Sequence, residues 1–166
     1  LASIGISNYL DSLDTAKNSE VVGNENIVRI ALENYASDHD DAMPSGLCTD
    51  ATFSNVGYLP NNQMPLAPWC KRPQVTDDIM QMQASWQTFI TAEKNHTDAV
   101  HTDQVGTIAD PPVNDLNFGF IRYGRGTDAH PNDATCPNTN KVYYMCGEGK
   151  RGNRHIVVGL YTNNLQ

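Results

Sequence analysis

Four cysteines carry the most readily predicted chemistry in this chain of 166 residues, and they lie at positions 48, 70, 136 and 146. Their spacing matches no zinc signature such as paired C-x-x-C, and three of the four lie close to Pro or Gly. An even number of cysteines in an acidic, loop-rich chain favours two disulfides formed in an oxidising compartment. Of the three possible pairings, we expect Cys48–Cys70 and Cys136–Cys146, because these pairs close short loops.

A stretch of acidic residues, "DHDDAMP", offers oxygen ligands of the kind that calcium prefers. It contains Asp38, His39, Asp40 and Asp41. Consecutive polar side chains at the end of a helix point in different directions and cannot all converge on one ion. The stretch therefore favours a solvated helix terminus.

No pattern in the sequence predicts an enzyme. The chain lacks a P-loop, an HExxH motif, a dinucleotide-binding fingerprint and a nucleophile elbow. The repeat "HTDAVHTD" places His-Thr-Asp at 96–98 and 101–103, a spacing that fits neither a helix face nor strand alternation. His130 precedes Cys136 in a loop-like segment, but a disulfide is the commoner fate of a cysteine in a secreted chain. We predict a protein without catalytic residues.

The composition is that of one globular domain over residues 1–166, with 39% hydrophobic and 18% charged residues. A formal net charge of −8 argues against general nucleic-acid binding, which requires clustered Lys and Arg to displace counterions from phosphates. The only dense group of cations in the sequence consists of Lys150, Arg151 and Arg154, and we interpret it as a solvated turn.

The first 40 residues predict one long helix. Apolar residues recur there with a period close to 3.6, as on a helix with one apolar side. Glu25, Arg29 and Glu33, spaced four apart, are expected on the opposite side, where they can form ion pairs. The helix should end near residue 40, because Pro44 disfavours helical geometry in the residue before it.

The remainder of the chain, residues 41–166, is predicted to form the globular head. Residues 46–75 indicate a long ordered loop rather than a linker, because apolar anchors interrupt its Pro, Asn and Gly residues. These anchors are Phe53, Tyr58, Leu59 and Trp69. Residues 76–93 keep helical spacing after a Thr-Asp-Asp start, and we predict a second helix there, although "SWQTFI" taken alone fits a strand equally well.

Three runs near the C-terminus predict strands: "FGFIRYG" at 118–124, "KVYYMC" at 141–146 and "HIVVGLYT" at 155–162. Each is short, rich in β-branched or aromatic residues and bounded by Gly, Pro or Asn. The order of elements predicts an α+β fold: a long N-terminal α-helix packed on a C-terminal antiparallel β-sheet, with long loops stabilised by disulfides.

The segment "LASIGISNYLDSLDTAKNSEVVGNENIVRIALENYASDHDDAMP" resembles the N-terminal helix of bacterial type IV pilins and type II secretion pseudopilins. The resemblance rests on the apolar run that ends in "SNYLDSLDTAK" and on "ALENYASDHDDAMP", where the family's helix gives way to its variable head. "GYLPNNQMPLAPW" is more loosely similar to segments that follow the helix in major pseudopilins. Ser7 departs from the pattern, because many members have a proline at this position.

The resemblance implies a structural role. In that family an apolar N-terminal segment anchors the subunit in the inner membrane before assembly and packs in the filament core afterwards. Because a membrane-spanning helix needs about 20 apolar residues, we expect roughly fourteen or fifteen more ahead of Leu1 in the native protein, with a methylated first amine. The chain would then be the periplasmic or extracellular part of a cell-surface filament subunit, serving adhesion, motility, DNA uptake or secretion.

An apolar stripe at the start of the helix is the predicted assembly surface. Many identical helices packed side by side bury such a stripe, and a screw relation that does not close extends the contact into a filament. The partner is therefore further copies of this chain, and residues 16–35 are left to pack on the subunit's own sheet. The residues expected to hold the filament together are Leu1, Ile4, Ile6, Tyr9, Leu10 and Leu13.

Two alternatives stay open. Calcium in the C-terminal part of the head would favour a pseudopilin of a type II secretion system; by analogy with that family its ligands would be Asp128, Asn132 and Asp133. No other cofactor is expected. The second alternative is a secreted or membrane-tethered binding module stabilised by disulfides, in which residues 1–13 tether a single copy and form no polymer.

Overall fold

The computed structural model describes residues 2–75, 78–79, 118–125, 140–151 and 154–163. The helices and strands of these residues are, in chain order, α1 (Ala2–Asp38), α2 (Ala51–Ser54), a 3-10 helix (Pro60–Asn62), β1 (Asp78–Ile79), β2 (Ile121–Arg125), β3 (Tyr143–Arg151) and β4 (Arg154–Thr162).

Helix α1 is one continuous element of 37 residues. Its end is set by the backbone, since Asp40 and Asp41 take left-handed conformations with φ of 54° and 65°. The N–H of Asp41 turns back to donate to the carbonyl of Ala36 at 2.9 Å, which satisfies one of the open carbonyls at the helix end. The predicted long helix that ends near residue 40 is confirmed.

The four strands form one sheet in the order β1-β2-β3-β4. Strands β2, β3 and β4 pair antiparallel, which confirms the predicted C-terminal antiparallel sheet and the α+β class. Strand β1 adds to the edge of β2 in parallel. The helix predicted over 76–93 is wrong at Asp78–Ile79, because the backbone of these residues pairs with β2; the rest of that range lies outside the described residues.

The hydrophobic core lies between α1 and one face of the sheet, and the loop after α1 closes it. Large apolar side chains supply most of it, and fully burying one of these stabilises the fold by about 1.5–3 kcal/mol. The buried members of this core are Val28, Ala31, Leu32, Tyr35, Ala36, Met43, Leu47, Phe53, Leu59, Met64, Ile121, Tyr123, Tyr143 and Met145.

A β-bulge brings the sheet close to the helix. Between β3 and β4 the register shifts after Cys146, so that Gly159 has no partner across the ladder. Gly159 has a φ of 75°, which favours glycine, and a Cβ there would overlap the carboxyl group of Glu25 on α1. A Cβ on Gly147 would overlap a methyl group of Val21. Helix and sheet can therefore approach this closely only because both positions are glycine.

Polar contacts attach the loop to strand β2. The N–H of Ile121 donates to Gln74 Oε1 at 2.8 Å, and Gln74 Nε2 donates to the carbonyl of Ile121 at 3.0 Å. The side chain of Gln74 thus continues the ladder where the backbone of the loop does not. The hydroxyl of Tyr123 donates to the carbonyl of Pro44 at 2.8 Å, which fixes the start of the loop.

The apolar anchors predicted for this loop lie as expected for an ordered segment. Phe53 and Leu59 are 0% and 2% exposed. Tyr58 and Phe53 both contact Tyr35 of α1 edge to face, with ring centroids 5.3 and 5.7 Å away respectively. Trp69 is half-buried. The loop is therefore part of the core rather than a linker.

No disulfide joins the described cysteines Cys48, Cys70 and Cys146. The predicted Cys48–Cys70 bond is not formed in this structure, where Cys48 Sγ donates instead to the carbonyl of Gln74 at 3.5 Å. Apolar burial and the Gln74 hydrogen bonds hold the loop in place of the expected cross-link. Cys136, the expected partner of Cys146, lies outside the described residues.

The second face of the sheet is also buried. Arg122 and Glu148 form an ion pair there, with side chains only 3% and 2% exposed. Tyr144 and Cys146, on the same face, are 0% and 2% exposed. Removing one member of such a pair leaves a buried charge without its counter-ion and costs about 3–5 kcal/mol.

Candidate functional site

The first turns of α1 expose large apolar side chains. Ile6, Tyr9, Leu10 and Leu13 are 62%, 67%, 53% and 39% exposed. Their spacing of three and four residues places them on one face of the helix. Leu1, also predicted to lie on this face, is outside the described residues, and Ile4 is described only as part of the helix backbone. The predicted assembly residues whose side chains are described therefore form one exposed apolar face, which we call the open face.

The open face continues the buried face of the same helix. Leu10 and Val28 are 18 residues apart, which is about five helical turns, so both lie on the same side of α1. Leu13 and Ala31 are related in the same way. Val28 and Ala31 are 0% and 1% exposed against the sheet, whereas Leu10 and Leu13 are 53% and 39% exposed. One apolar side of α1 is thus covered by the sheet in its C-terminal half and uncovered in its N-terminal half.

The helices of the described residues include none that is long and apolar enough to cross a membrane. The open face covers only part of the circumference of α1, and the opposite side carries polar residues such as Asn8 and Ser12, which are exposed. Such a helix places its apolar side against one partner and keeps its other side in water.

A carboxyl group lies in the middle of the buried face. Glu25 is 0% exposed, and the backbone N–H of Gly147 faces its carboxyl group. It packs on Gly147 and on the bulge at Gly159. The prediction that Glu25 lies on the solvated side with Arg29 and Glu33 is therefore wrong for Glu25. Its spacing from Val21 could have shown this, since residues four apart share a helix face.

Burial raises the pKa of Glu25 from 4.5 to about 9, and the backbone N–H of Gly147 lowers it by less. The side chain is therefore a neutral carboxylic acid at pH 7. The other two residues of the predicted series do form an ion pair, with Arg29 Nη1 and Glu33 Oε1 2.7 Å apart. This pair is more than one-third exposed on both sides and contributes only a few tenths of a kcal/mol.

The acidic residues at the end of α1 diverge. Asp38 accepts a hydrogen bond from the hydroxyl of Tyr58 at 2.9 Å, and Asp41 lies 3.5 Å from Lys141 Nζ. His39 stacks on Tyr35 with ring centroids 4.0 Å apart. Within the described part of the chain, no group of three or more His, Cys, Asp or Glu side chains could hold a metal ion.

A surface cavity of about 210 Å³ includes Cys48. The remaining lining residues are apolar or carry amides and a hydroxyl, among them Leu59, Met64, Gln63 and Gln74. None of them is a His, Asp or Glu that could serve as a general base for the thiol.

The remaining sequence candidates lie outside the described residues. These are the calcium candidates Asp128, Asn132 and Asp133, and the two His-Thr-Asp triplets. They stay predictions.

Comparisons with known proteins give no relative. No family model matches the chain, and neither a curated protein nor a solved structure is significantly similar to it. Its function must therefore be inferred from the contacts, exposure and charge of its own residues.

Proposed function

We propose that this chain is a structural subunit of a cell-surface, type IV pilus-like filament, and that it polymerises through the N-terminal half of α1. The observation that carries the proposal is the single apolar side of α1, which the sheet covers over one half and leaves open over the other. A helix wholly buried in a monomer would be covered along its whole apolar side.

The open face supplies the energy for a helix-to-helix contact. Each of its side chains, when moved from water into an apolar contact, stabilises the assembly by up to about 1.5–3 kcal/mol. The contact can join two different surfaces of the two copies. Copies related by a screw axis can then be added one after another without closing into a ring. Copies added in this way form a filament with the helices inside and the heads outside.

The proposal includes a membrane-bound stage before assembly. The open face can also lie against lipid, because lipid chains are apolar like the face of another helix. In the alternative function, a binding module tethered as a single copy, the open face would serve only the membrane. The two functions differ in whether copies of the chain contact one another.

A pair of matched double variants tests the filament. Leu10→Asp/Leu13→Asp places two charges on the open face. The control, Val56→Asp/Val75→Asp, makes the same change at side chains that are 63% and 75% exposed in the loop. The protein is produced in its natural host, and filaments are counted by electron microscopy and by sedimentation of sheared material. Thermal unfolding of each variant shows whether the head remains folded.

We expect the open-face variant to lose filaments while keeping its thermal stability, and the control to keep both. Filaments that persist in the Leu10→Asp/Leu13→Asp variant would show that the open face is not the assembly surface. A wild-type protein that is surface-bound but forms no filament would favour the single-copy binding module.

A further inference from the structure

Cations that are distant in the sequence meet beside the open face. Lys17 of α1 lies over the ring of Trp69, with its Nζ 5.5 Å from the ring centroid. Trp69 contacts Phe118, with ring centroids 5.9 Å apart. Lys150 of β3 lies over the second ring of this pair, with its Nζ 5.2 Å from the centroid of Phe118. Two aromatic rings thus link a cation of the helix to a cation of the sheet.

Hydrogen bonds fix this arrangement. The side chain of Asn18 donates to the carbonyl of Lys150 at 2.8 Å and accepts from its N–H at 2.9 Å. The amide nitrogen and the amide oxygen of Asn18 therefore both bind the backbone of Lys150 and hold the end of β3 against α1. The guanidinium of Arg72 lies 5.8 Å from the ring centroid of Phe120, which brings the loop into the same group.

The β3–β4 hairpin adds further positive charge. Lys150 is paired with His155 across the ladder, and Arg151 with Arg154. We call the whole group the basic collar. It contains four of the eleven Lys and Arg residues of a chain whose net charge is −8, and the backbone places Arg151 and Arg154 at the end of the same hairpin. Its cations are Lys17, Lys71, Arg72 and Lys150.

Carboxylates of α1 offset part of this charge. Glu20 Oε1 lies 3.5 Å from Lys71 Nζ, with both side chains largely exposed. Asp11 and Asp14 lie on the helix just before Lys17. The four cations outnumber these three carboxylates, so the collar is positive, whereas the chain as a whole is strongly negative.

We propose that the basic collar binds the headgroups of anionic lipids at a membrane surface while the open face of α1 lies against the apolar layer beneath them and the polar side of the helix stays in water. Lys17 follows Leu13 by one helical turn, about 6 Å along the axis, so the collar lies where headgroups would lie if Leu10 and Leu13 were in the lipid. This inference extends the proposed function, because it describes the membrane-bound stage before assembly.

The distribution of charge supports a membrane as the partner. Asp38, Asp40 and Asp41 lie at the far end of α1, about 30 Å from Lys17 along the helix axis. An anionic surface attracts the collar and repels this acidic end, so the chain binds with one orientation.

A nucleic acid fits the collar less well. Proteins that bind single strands offer open aromatic faces on which bases stack. Phe118 is only 1% exposed, and Lys17 and Lys150 already lie over the rings of the collar. The cations therefore present charge without a stacking surface, as suits a layer of headgroups.

Binding to vesicles tests the inference with the full chain. The probes are phosphatidylcholine vesicles with and without phosphatidylglycerol, and bound protein is measured by cosedimentation. Near an anionic surface each Lys or Arg contributes about 1 kcal/mol, which is about fivefold in partitioning. We expect Lys71→Gln to weaken binding to the anionic vesicles about fivefold and Lys71→Gln/Arg72→Gln about 25-fold. The matched control, Lys141→Gln, removes the same charge at a side chain 54% exposed, against 62% for Lys71, and should bind like wild type.

Three results would overturn the inference. Equal binding to both kinds of vesicle would show that headgroup charge has no part. An equal loss in Lys141→Gln and Lys71→Gln would show that only net charge matters. Saturable binding of inorganic phosphate, or of a DNA duplex, that displaces the vesicles at constant ionic strength would assign the collar to another ligand. Filaments are not scored in this assay, so failure of the lipid inference and failure of the filament proposal are separate outcomes.

Discussion

The buried carboxyl of Glu25 makes the stability of the head depend on pH. Its pKa is 4.5 when exposed and about 9 in the folded chain, because burial disfavours the charged form. Below pH 4.5 Glu25 is protonated in both the folded and the unfolded state. Its ionisation then takes nothing from the free energy of unfolding. Between pH 4.5 and about 9 only the unfolded chain releases the proton, so stability falls as pH rises.

The size of the effect follows from the same values. Each pH unit in this window lowers the free energy of unfolding by about 1.4 kcal/mol. Between pH 5 and pH 8 wild type should therefore lose about 4 kcal/mol through Glu25. Glu25→Gln keeps the shape of the side chain but cannot ionise, and its stability should not fall for this reason.

Urea unfolding at pH 5 and pH 8 measures this difference. We expect the free energy of unfolding of Glu25→Gln, relative to wild type, to rise by about 4 kcal/mol between the two pH values. Glu33→Gln is the matched control: it makes the same chemical change on the same helix, at a side chain that is 53% exposed. The free energy of unfolding of Glu33→Gln, relative to wild type, should change by only a few tenths of a kcal/mol between pH 5 and pH 8. A Glu25→Gln difference that is the same at both pH values would refute the reasoning, since it would mean that the native carboxyl is solvated or paired.

Two glycine variants test the packing of α1, both by urea unfolding. Gly23→Ala should stabilise the head by about 1 kcal/mol, because a Cβ there meets no atom within 4 Å and alanine favours a helix. A loss of stability would mean that this side of α1 is covered. Gly147→Ala should destabilise the head by about 1–3 kcal/mol, because its methyl would overlap Val21, and an unchanged midpoint would contradict the close approach of helix and sheet.

The elements with strong local signals were predictable from the sequence. The 3.6-residue period of apolar residues predicted the length of α1, and the β-branched and aromatic runs predicted the positions of β2, β3 and β4. Strand β1 was not predictable, because Asp78–Ile79 is too short to carry a pattern and takes its conformation from pairing with β2. The class of fold therefore follows from the sequence, whereas the edge of the sheet depends on tertiary contacts.

The candidate surfaces were predictable only in part. Leu10 and Val28 have the same apolar character and the same position on the helix wheel, and only the placement of the sheet makes one exposed and the other buried. Lys17, Lys71 and Lys150 are more than fifty residues apart in sequence, so no local pattern could group them. Glu25 was assigned to the wrong side because its spacing from Arg29 competed with its spacing from Val21.

The close packing of α1 on the sheet determines how the head bears mechanical load. In the proposed filament, tension would enter the head through the N-terminal half of α1 and run along the helix axis. The contacts between α1 and the core extend from Val21 to Ala36, about 22 Å along that axis, so the pull acts on them in shear and they must fail together. Asn18, which joins α1 to β3 at the near end, takes the first strain. The head is thus braced against tension along the helix and is weaker against a force that peels the helix away from the sheet.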